Sequence, residues 1–440
     1  MKYFACILCG LLCAAAGGAL TLEQAKDMAV MRNPELAAYR EKKNAADWQV
    51  AQAWTGLFPS GQITGSYNRY DPAYTGFNGV QEESRSFGIS LNQTLYAGGK
   101  VRLGIKTNKE LARQTDLGLE QKLLEVLAGA ESRYYTLLEQ ADLLIAAQKD
   151  VELSKELLKS ARIRYDTGTL SRADLLHVQS QLAAKEVALI QTRNSVDVSR
   201  IDLATYIKAE EAVTPESIPF TLYQPCIDQL EGLEQPAVEA IYDKLIDFAA
   251  QESPMVQLAK SGEQLQTLNL KLARANFLPG VNLSYAKNWN RTDLQDAYQD
   301  QGTLSLSVSI PLLPLYDTFA GVKKAEADLR SSRFERVAAE DGLQQSVKQL
   351  FYNLIAAARS VLSARLARDY AEETFQQMRI RFRNRVIAAN DLLDAEILYI
   401  SAQNQYTQSF YGFLRAKSQL MQTMGIQEES SFWRFIPCTN

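Results

Sequence analysis

Asp391 and Asp394 are the residues whose type and spacing could most readily do chemistry in this 440-residue chain. Three residues apart on a helix, both carboxylates fall on one face and concentrate negative charge there. The competing reading is that Asp391 caps the helix after a turn while Asp394 is simply solvated. Asp174 and His177 repeat the spacing 217 positions earlier. His177 is the single histidine, so the chain offers it no histidine partner for a metal site, and it reads as a polar residue near a turn. There is no metal-spaced Cys/His group, no Gly-rich phosphate loop and no Gly-x-Ser-x-Gly elbow. The chain is expected to be no enzyme, with no catalytic residues, no cofactor and no metal.

Address and charge narrow the class. Met1-Lys2, an apolar stretch from Tyr3 to Ala16 and small residues up to Ala19 read as a secretory signal peptide over residues 1–19. The stretch is too short for the roughly 20 residues of a spanning helix. Cys13 lacks the small residue expected just before a lipidated cysteine, which leaves lipidation as the minor alternative. No later uncharged run is long enough to cross a bilayer as a helix, and a net charge of −4 gives no reason to expect nucleic acid. With Cys6, Cys9 and Cys13 gone with the signal, Cys226 and Cys438 alone meet the oxidising compartment, where they could form one disulfide.

The elements that must position the aspartates are written twice. A 4,3 apolar stripe through Leu123, Leu127, Ala130, Tyr134, Leu137, Ala141 and Leu144 returns at Leu343, Val347, Leu350, Leu354, Ala357, Val361 and Ala364, each 220 positions on. Asn33-Pro34 matches Ser253-Pro254, and Pro59 matches Pro279, on the same offset, so this is a tandem duplication of a large supersecondary unit. Each copy reads as helix, β-hairpin, very long helix, turn, helix. The first repeat is expected over 20–209, with its hairpin about 58–96, and the second over 237–425, with its hairpin about 279–311. A Pro-containing linker spans 210–236 and a tail 426–440. Thr21 and Gln24 have the spacing of a capping box at the first helix.

The hairpins alternate with period two. Phe87, Ile89 and Leu91 interleave with Ser86, Gly88 and Ser90, and Leu304, Leu306 and Val308 with Thr303, Ser305 and Ser307. Asp71 to Glu83 and Arg291 to Gln301 read as polar, turn-like loops between strands. Two readings stay open on this pattern: a soluble sheet with one face on a core, or outer-membrane barrel strands, apolar toward lipid, with Tyr67, Tyr70, Tyr285 and Trp289 as interface aromatics. The long helices favour the second. From about Lys100 to Asp166 and about Ala320 to Phe382 there is no proline, and at 1.5 Å per residue each would reach on the order of 95–100 Å, beyond a globular domain. Four strands cannot close a barrel, for which about eight is the minimum, so other copies must complete it.

In this order the elements resemble the TolC-like outer-membrane efflux protein family, over nearly all of the mature sequence. Leu20-Thr21-Leu22-Glu23-Gln24-Ala25-Lys26 followed by Asn33-Pro34-Glu35-Leu36 is similar to the family's amino-terminal motif. Arg162-Ile163-Arg164-Tyr165-Asp166-Thr167-Gly168 with Asp174-Leu175-Leu176 resembles its first periplasmic helix turn, and Arg379-Ile380-Arg381-Phe382-Arg383-Asn384-Arg385 with Asp391-Leu392-Leu393-Asp394 its second. The resemblance implies an α+β membrane protein: a long α-helical, coiled-coil barrel plus a transmembrane β-barrel completed by trimerisation. It implies a passive exit duct of an efflux or type I secretion system, in the outer membrane of a Gram-negative bacterium and extending into the periplasm. The implied partners are two further copies, outer-membrane lipid, a periplasmic adaptor (membrane fusion protein) and an inner-membrane pump or ATPase. A soluble periplasmic coiled-coil adaptor is the alternative, but would call for a lipoyl-like domain and an inner-membrane anchor.

By that resemblance Asp391 and Asp394 form the selectivity ring at the pore constriction. Arg162, Tyr165, Gly168, Asp174, Arg379, Phe382, Arg383 and Arg385 would form the periplasmic tip and gate. Arg385 departs from the family's usual glycine, and Phe382 and Ile387 stand where a gate tyrosine and arginine are expected, so those hydrogen bonds are ruled out. Arg383 or Arg385 could instead pair with Asp174, against the alternative of a solvated arginine face. Family topology brings the linker and the tail to one equatorial belt, which makes a Cys226–Cys438 bond plausible.

Overall fold

The structure, a computed structural model, describes residues 19–76, 79–210, 213–292, 297–312, 315–384 and 386–436. Residues 1–18, read above as a signal peptide, and Arg385 and Cys438 lie outside the described residues. Ten α-helices and four strands are found among the described residues: α1 (Leu22–Arg32), α2 (Pro34–Thr55), β1 (Ser60–Gly76), β2 (Gly79–Ala97), α3 (Lys100–Asp166), α4 (Arg172–Ile207), α5 (Gln224–Glu231), α6 (Gln235–Glu252), α7 (Pro254–Ala275), β3 (Gly280–Thr292), β4 (Gln299–Ser309), α8 (Leu315–Arg383), α9 (Ala389–Met424) and α10 (Glu429–Phe432). A 3₁₀ turn, Phe220–Tyr223, precedes α5.

Two compact units divide the chain, one of Met1–Ala37, Gln121–Ser253 and Gly342–Asn440, the other of Ala38–Glu120 and Pro254–Asp341. The long helices α3 (67 residues) and α8 (69 residues) contribute to both. In the first unit the apolar stripes form the core. Ala130, Tyr134 and Leu137 are buried on α3, and Leu343, Val347, Leu354, Val361 and Ala364 on α8.

The helix starts follow from local capping. Thr21 Oγ1 accepts from Gln24 N at 3.2 Å while the Gln24 side chain accepts from Thr21 N at 3.1 Å, which forms the expected capping box. Asn33 Oδ1 accepts from Glu35 N (2.8 Å) and Leu36 N (3.2 Å), so α2 restarts at Pro34, whose missing N–H costs nothing at a first helical position. Leu20 bridges in parallel to Pro215, and the Tyr134 hydroxyl donates to the carbonyls of Leu20 (2.8 Å) and Glu216 (2.9 Å). The segment entering α1 and the inter-repeat linker are thereby pinned to α3.

Linker and tail both dock on α9. Phe220 stacks edge-on against Phe410 at 4.3 Å, and Tyr223 packs against Phe410 and Phe413. Lys417, 1% exposed on α9, pairs with Glu429 of α10 at 2.7 Å, and Glu429 also accepts from Trp433 Nε1 (2.9 Å) and the Tyr223 hydroxyl (3.3 Å). Burial works against the charge on Glu429, but Lys417, Trp433 and Tyr223 outweigh it and hold the carboxyl below its ordinary range.

In the second unit the strands form one antiparallel sheet in the order β1-β2-β3-β4. β1 and β4 are its edges. Apolar side chains of the sheet stay outside a core: Ile63 is 69% exposed, Leu304 70% and Leu306 65%, while their neighbours along each strand are Ser, Thr and Gln. The strands run longer than the sequence pattern suggests. Asp71 to Gly76 and Gly79 to Glu83, expected as loop, continue the ladder, with a register shift between Arg69 and Tyr74. Pro72 falls in this shift on an edge strand, where its missing donor interrupts little. The other hairpin likewise extends to Thr292 and resumes at Gln299, and α8 starts at Leu315, five residues ahead of the expected Ala320.

Candidate functional site

The chemistry-bearing residues gather at the two turns of the first unit, between α3 and α4 and between α8 and α9. α3 closes with Gly168 at φ +71, its N–H donating to Tyr165 O (2.9 Å), while Thr169 N donates to Arg164 O (2.8 Å). Glycine suits that left-handed position, since a Cβ there is strained. Ser171 then caps α4. Its Oγ accepts from Asp174 N (3.1 Å) and donates to the Asp174 carboxylate at 2.7 Å. Asp174 is thus engaged in its own helix cap, and no ion pair between it and Arg383 is found among the described residues. His177 is exposed on α4, and no group of residues suited to a metal is found among the described residues.

At the second turn Val386 N donates to Arg381 O (2.9 Å), and Asp391, at the third position of α9, accepts from Ala388 N at 3.1 Å. Asp391 therefore does cap its helix, but one oxygen suffices for that bond and the side chain stays exposed. Asp394 is exposed beside it. The intervening Leu392 and Leu393, with Ala395, face the other way into a buried cluster with Leu157, Ala161, Val178, Phe375, Phe382 and Tyr399. That anchoring of the apolar face turns both carboxylates outward together, as their spacing requires.

Of the expected tip residues, Arg162, Tyr165 and Arg383 are exposed, Arg379 is half-buried and Phe382 is buried in the cluster. Phe382 cannot donate a hydroxyl hydrogen bond, yet it still ties the two hairpins together. The Arg164 guanidinium lies 3.9 Å from its ring centroid and donates to its carbonyl oxygen. The sequence reading singled out Arg162 and passed over Arg164. Leu157 and Ala161 are buried and Arg164 follows them at 4,3 spacing, one position out of register with the stripe extrapolated from Leu123–Leu144, which lands on Arg162 instead.

A second set of residues went unread. Lys185 of α4 reaches Asp150 of α3 at 2.8 Å and Glu396 of α9 at 3.0 Å. Ser154 accepts from Lys185 (2.8 Å) and donates to Glu396 (3.2 Å). Glu396 is 2% exposed, and burial, opposed by Lys185, raises its carboxyl above the ordinary range.

The profile of the family described as Outer membrane efflux protein matches residues 26–207 and 245–426, one match per repeat. The chain belongs to that family of outer-membrane channels. It is 22% identical to outer membrane protein TolC of Escherichia coli over 439 residues, 98% of this chain and 87% of the relative. It is likewise 22% identical to the alkaline protease secretion protein AprF of Pseudomonas aeruginosa, over 94% of this chain and 86% of that one. Its fold superimposes on the crystal structure of the Campylobacter jejuni CmeC outer membrane channel with a TM-score of 0.76, at 13% identity, covering 95% and 90% of the two chains. The exposed apolar strand residues thus face lipid, and the protein resides in the outer membrane of a Gram-negative cell, with its helices in the periplasm.

Proposed function

We propose that three copies of this chain assemble into a passive exit duct through which an inner-membrane pump or secretion ATPase, coupled by a periplasmic adaptor at the helical tip, expels its cargo. The observation that carries the trimer is the open sheet. Its β1 and β4 edges have no strand partner among the described residues, and four strands are too few to close a barrel alone. Three copies, the number the family resemblance implies, supply twelve strands, and they bring Asp391 and Asp394 together as six carboxylates around the mouth. Such a ring attracts cations, repels anions and binds multivalent cations that impede flow. Membrane fractionation with chemical cross-linking tests the reading: an outer-membrane trimer is expected, and a peripheral inner-membrane protein would favour the adaptor alternative.

Within this duct the Cys226–Cys438 disulfide ties the tail to the belt. Cys226 is buried on α5 and disulfide-bonded, three residues from Tyr223, whose hydroxyl meets Glu429 of the tail. Phe435, three residues before Cys438, packs on Phe248 of α6 at 5.1 Å. Mass spectrometry of non-reduced protein should recover a peptide joining positions 226 and 438. Two freely alkylatable thiols in protein taken from the periplasm would refute that pairing.

A further inference from the structure

We propose that Lys185 is a positioning residue for the mouth: by bridging Asp150 of α3 and Glu396 of α9 it holds the first turns of α9, and with them Asp391 and Asp394, against the first hairpin. The inference rests on the duct reading above and assigns that duct a latch.

The geometry is specific. Glu396 lies two residues beyond Asp394 on the opposite, buried face of α9, so a shift at Glu396 is a shift of the aspartate pair. It is held by ionic and hydroxyl contacts from two other helices, Lys185 at 3.0 Å and Ser154 at 3.2 Å. The polar groups facing that space are Asp150, Ser154, Glu156 and Arg164 from α3, Lys185 from α4, and Arg379 and Arg383 from α8, the last two lining the adjoining groove with Glu396. Lys185 makes the ion pair with Glu396 found among the described residues.

Lys185 therefore serves two carboxylates, the buried Glu396 and the half-buried Asp150. That count makes the latch asymmetric. Without Lys185, Asp150 and Glu396 repel across the interface between α9 and the first hairpin, and the second hairpin is released. Without the charge on Glu396, Lys185 and Asp150 are balanced, and the neutral side chain still accepts from Lys185. A purely structural ion pair would respond in the same direction to loss of either partner.

Acid should act like the neutral glutamate. Burial raises the Glu396 carboxyl, so the closed arrangement binds its proton more readily than an arrangement in which Glu396 meets water. Closure is then favoured as pH falls through the raised value toward the ordinary glutamate range.

The test is single-channel recording on purified full-length protein, with thermal unfolding of the assembly as a control. At neutral pH, Lys185→Met should raise the open fraction by on the order of tenfold, and Lys185→Arg should restore it. Glu396→Gln should not open the mouth. It should remove the part of the closure that wild type gains in mild acid, while cation preference, set by Asp391 and Asp394, remains. A Lys185→Met assembly with wild-type open fraction and pH profile overturns the proposal, as does a Glu396→Gln assembly that opens like Lys185→Met. Should Lys185→Met fail to assemble, the Glu396→Gln pH profile decides alone: unchanged from wild type, it overturns the latch. Failure of the duct reading itself would show separately, as absent conductance in wild type.

Discussion

Replacing Asp391 and Asp394 with alanine is expected to abolish most of the cation preference of the channel and to weaken block by a trivalent cation on the order of tenfold or more. Two charges leave each chain, six leave the ring, and the charge density that draws cations into the mouth goes with them. Alanine also deletes the oxygen that accepts from Ala388 N, at a helix-cap cost of about 1 kcal/mol. Asparagine at both positions separates the two effects, since its side-chain oxygen keeps the cap while the charge is removed. Selectivity and block should fall equally in the alanine and asparagine proteins. Unchanged selectivity in both would put these residues outside the constriction.

Lys417→Met should loosen the tail, at a cost of about 3 kcal/mol. Lys417 is nearly fully buried, and its loss leaves Glu429, 31% exposed, with no ion-pair partner among the described residues; two neutral donors, Trp433 and Tyr223, remain. The pH dependence has a definite sign. Because the Glu429 carboxyl is held below its ordinary value, the stability it contributes is present above about pH 4.5 and is lost as pH falls through that value toward the depressed one. Glu396, with its raised carboxyl, works in the opposite sense. The informative quantity is therefore the difference between wild type and variant: their melting temperatures should be well separated at neutral pH and should converge in acid. Parallel curves across that range would show that Lys417 does not set the charge state of Glu429. Limited proteolysis offers a second readout, with cleavage between α9 and the carboxy terminus faster in the variant.

Much of this was legible in the sequence because duplication and periodicity are local, repeated signals. The 220-residue offset located both long helices, and the switch from period 3.5 to period 2 located both hairpins. Asp391 and Asp394 were legible because a spacing of three fixes a shared face wherever the helix goes. Ends of elements were less visible. Asp71 to Glu83 looks like a loop because it is polar, yet a strand that continues into water needs only its ladder of backbone hydrogen bonds, and β1 and β2 supply it. The long-range ionic pairs were not visible at all. Lys185 and Glu396 are 211 residues apart, each lies among other polar residues that are solvated, and no periodicity distinguishes a charge facing a neighbouring helix from one facing water. Arg164 was hidden too: the extrapolated stripe falls on Arg162, the charge of Arg164 argued for an exposed position, and the Phe382 ring that receives it comes from the other repeat.

The central claim is that a chain with four strands becomes a channel by association. Reconstitution of the purified protein in a planar bilayer, with its mass determined in the same detergent, tests this most directly. The account predicts a trimer that forms small, cation-preferring pores. A stable monomer without conductance would contradict it.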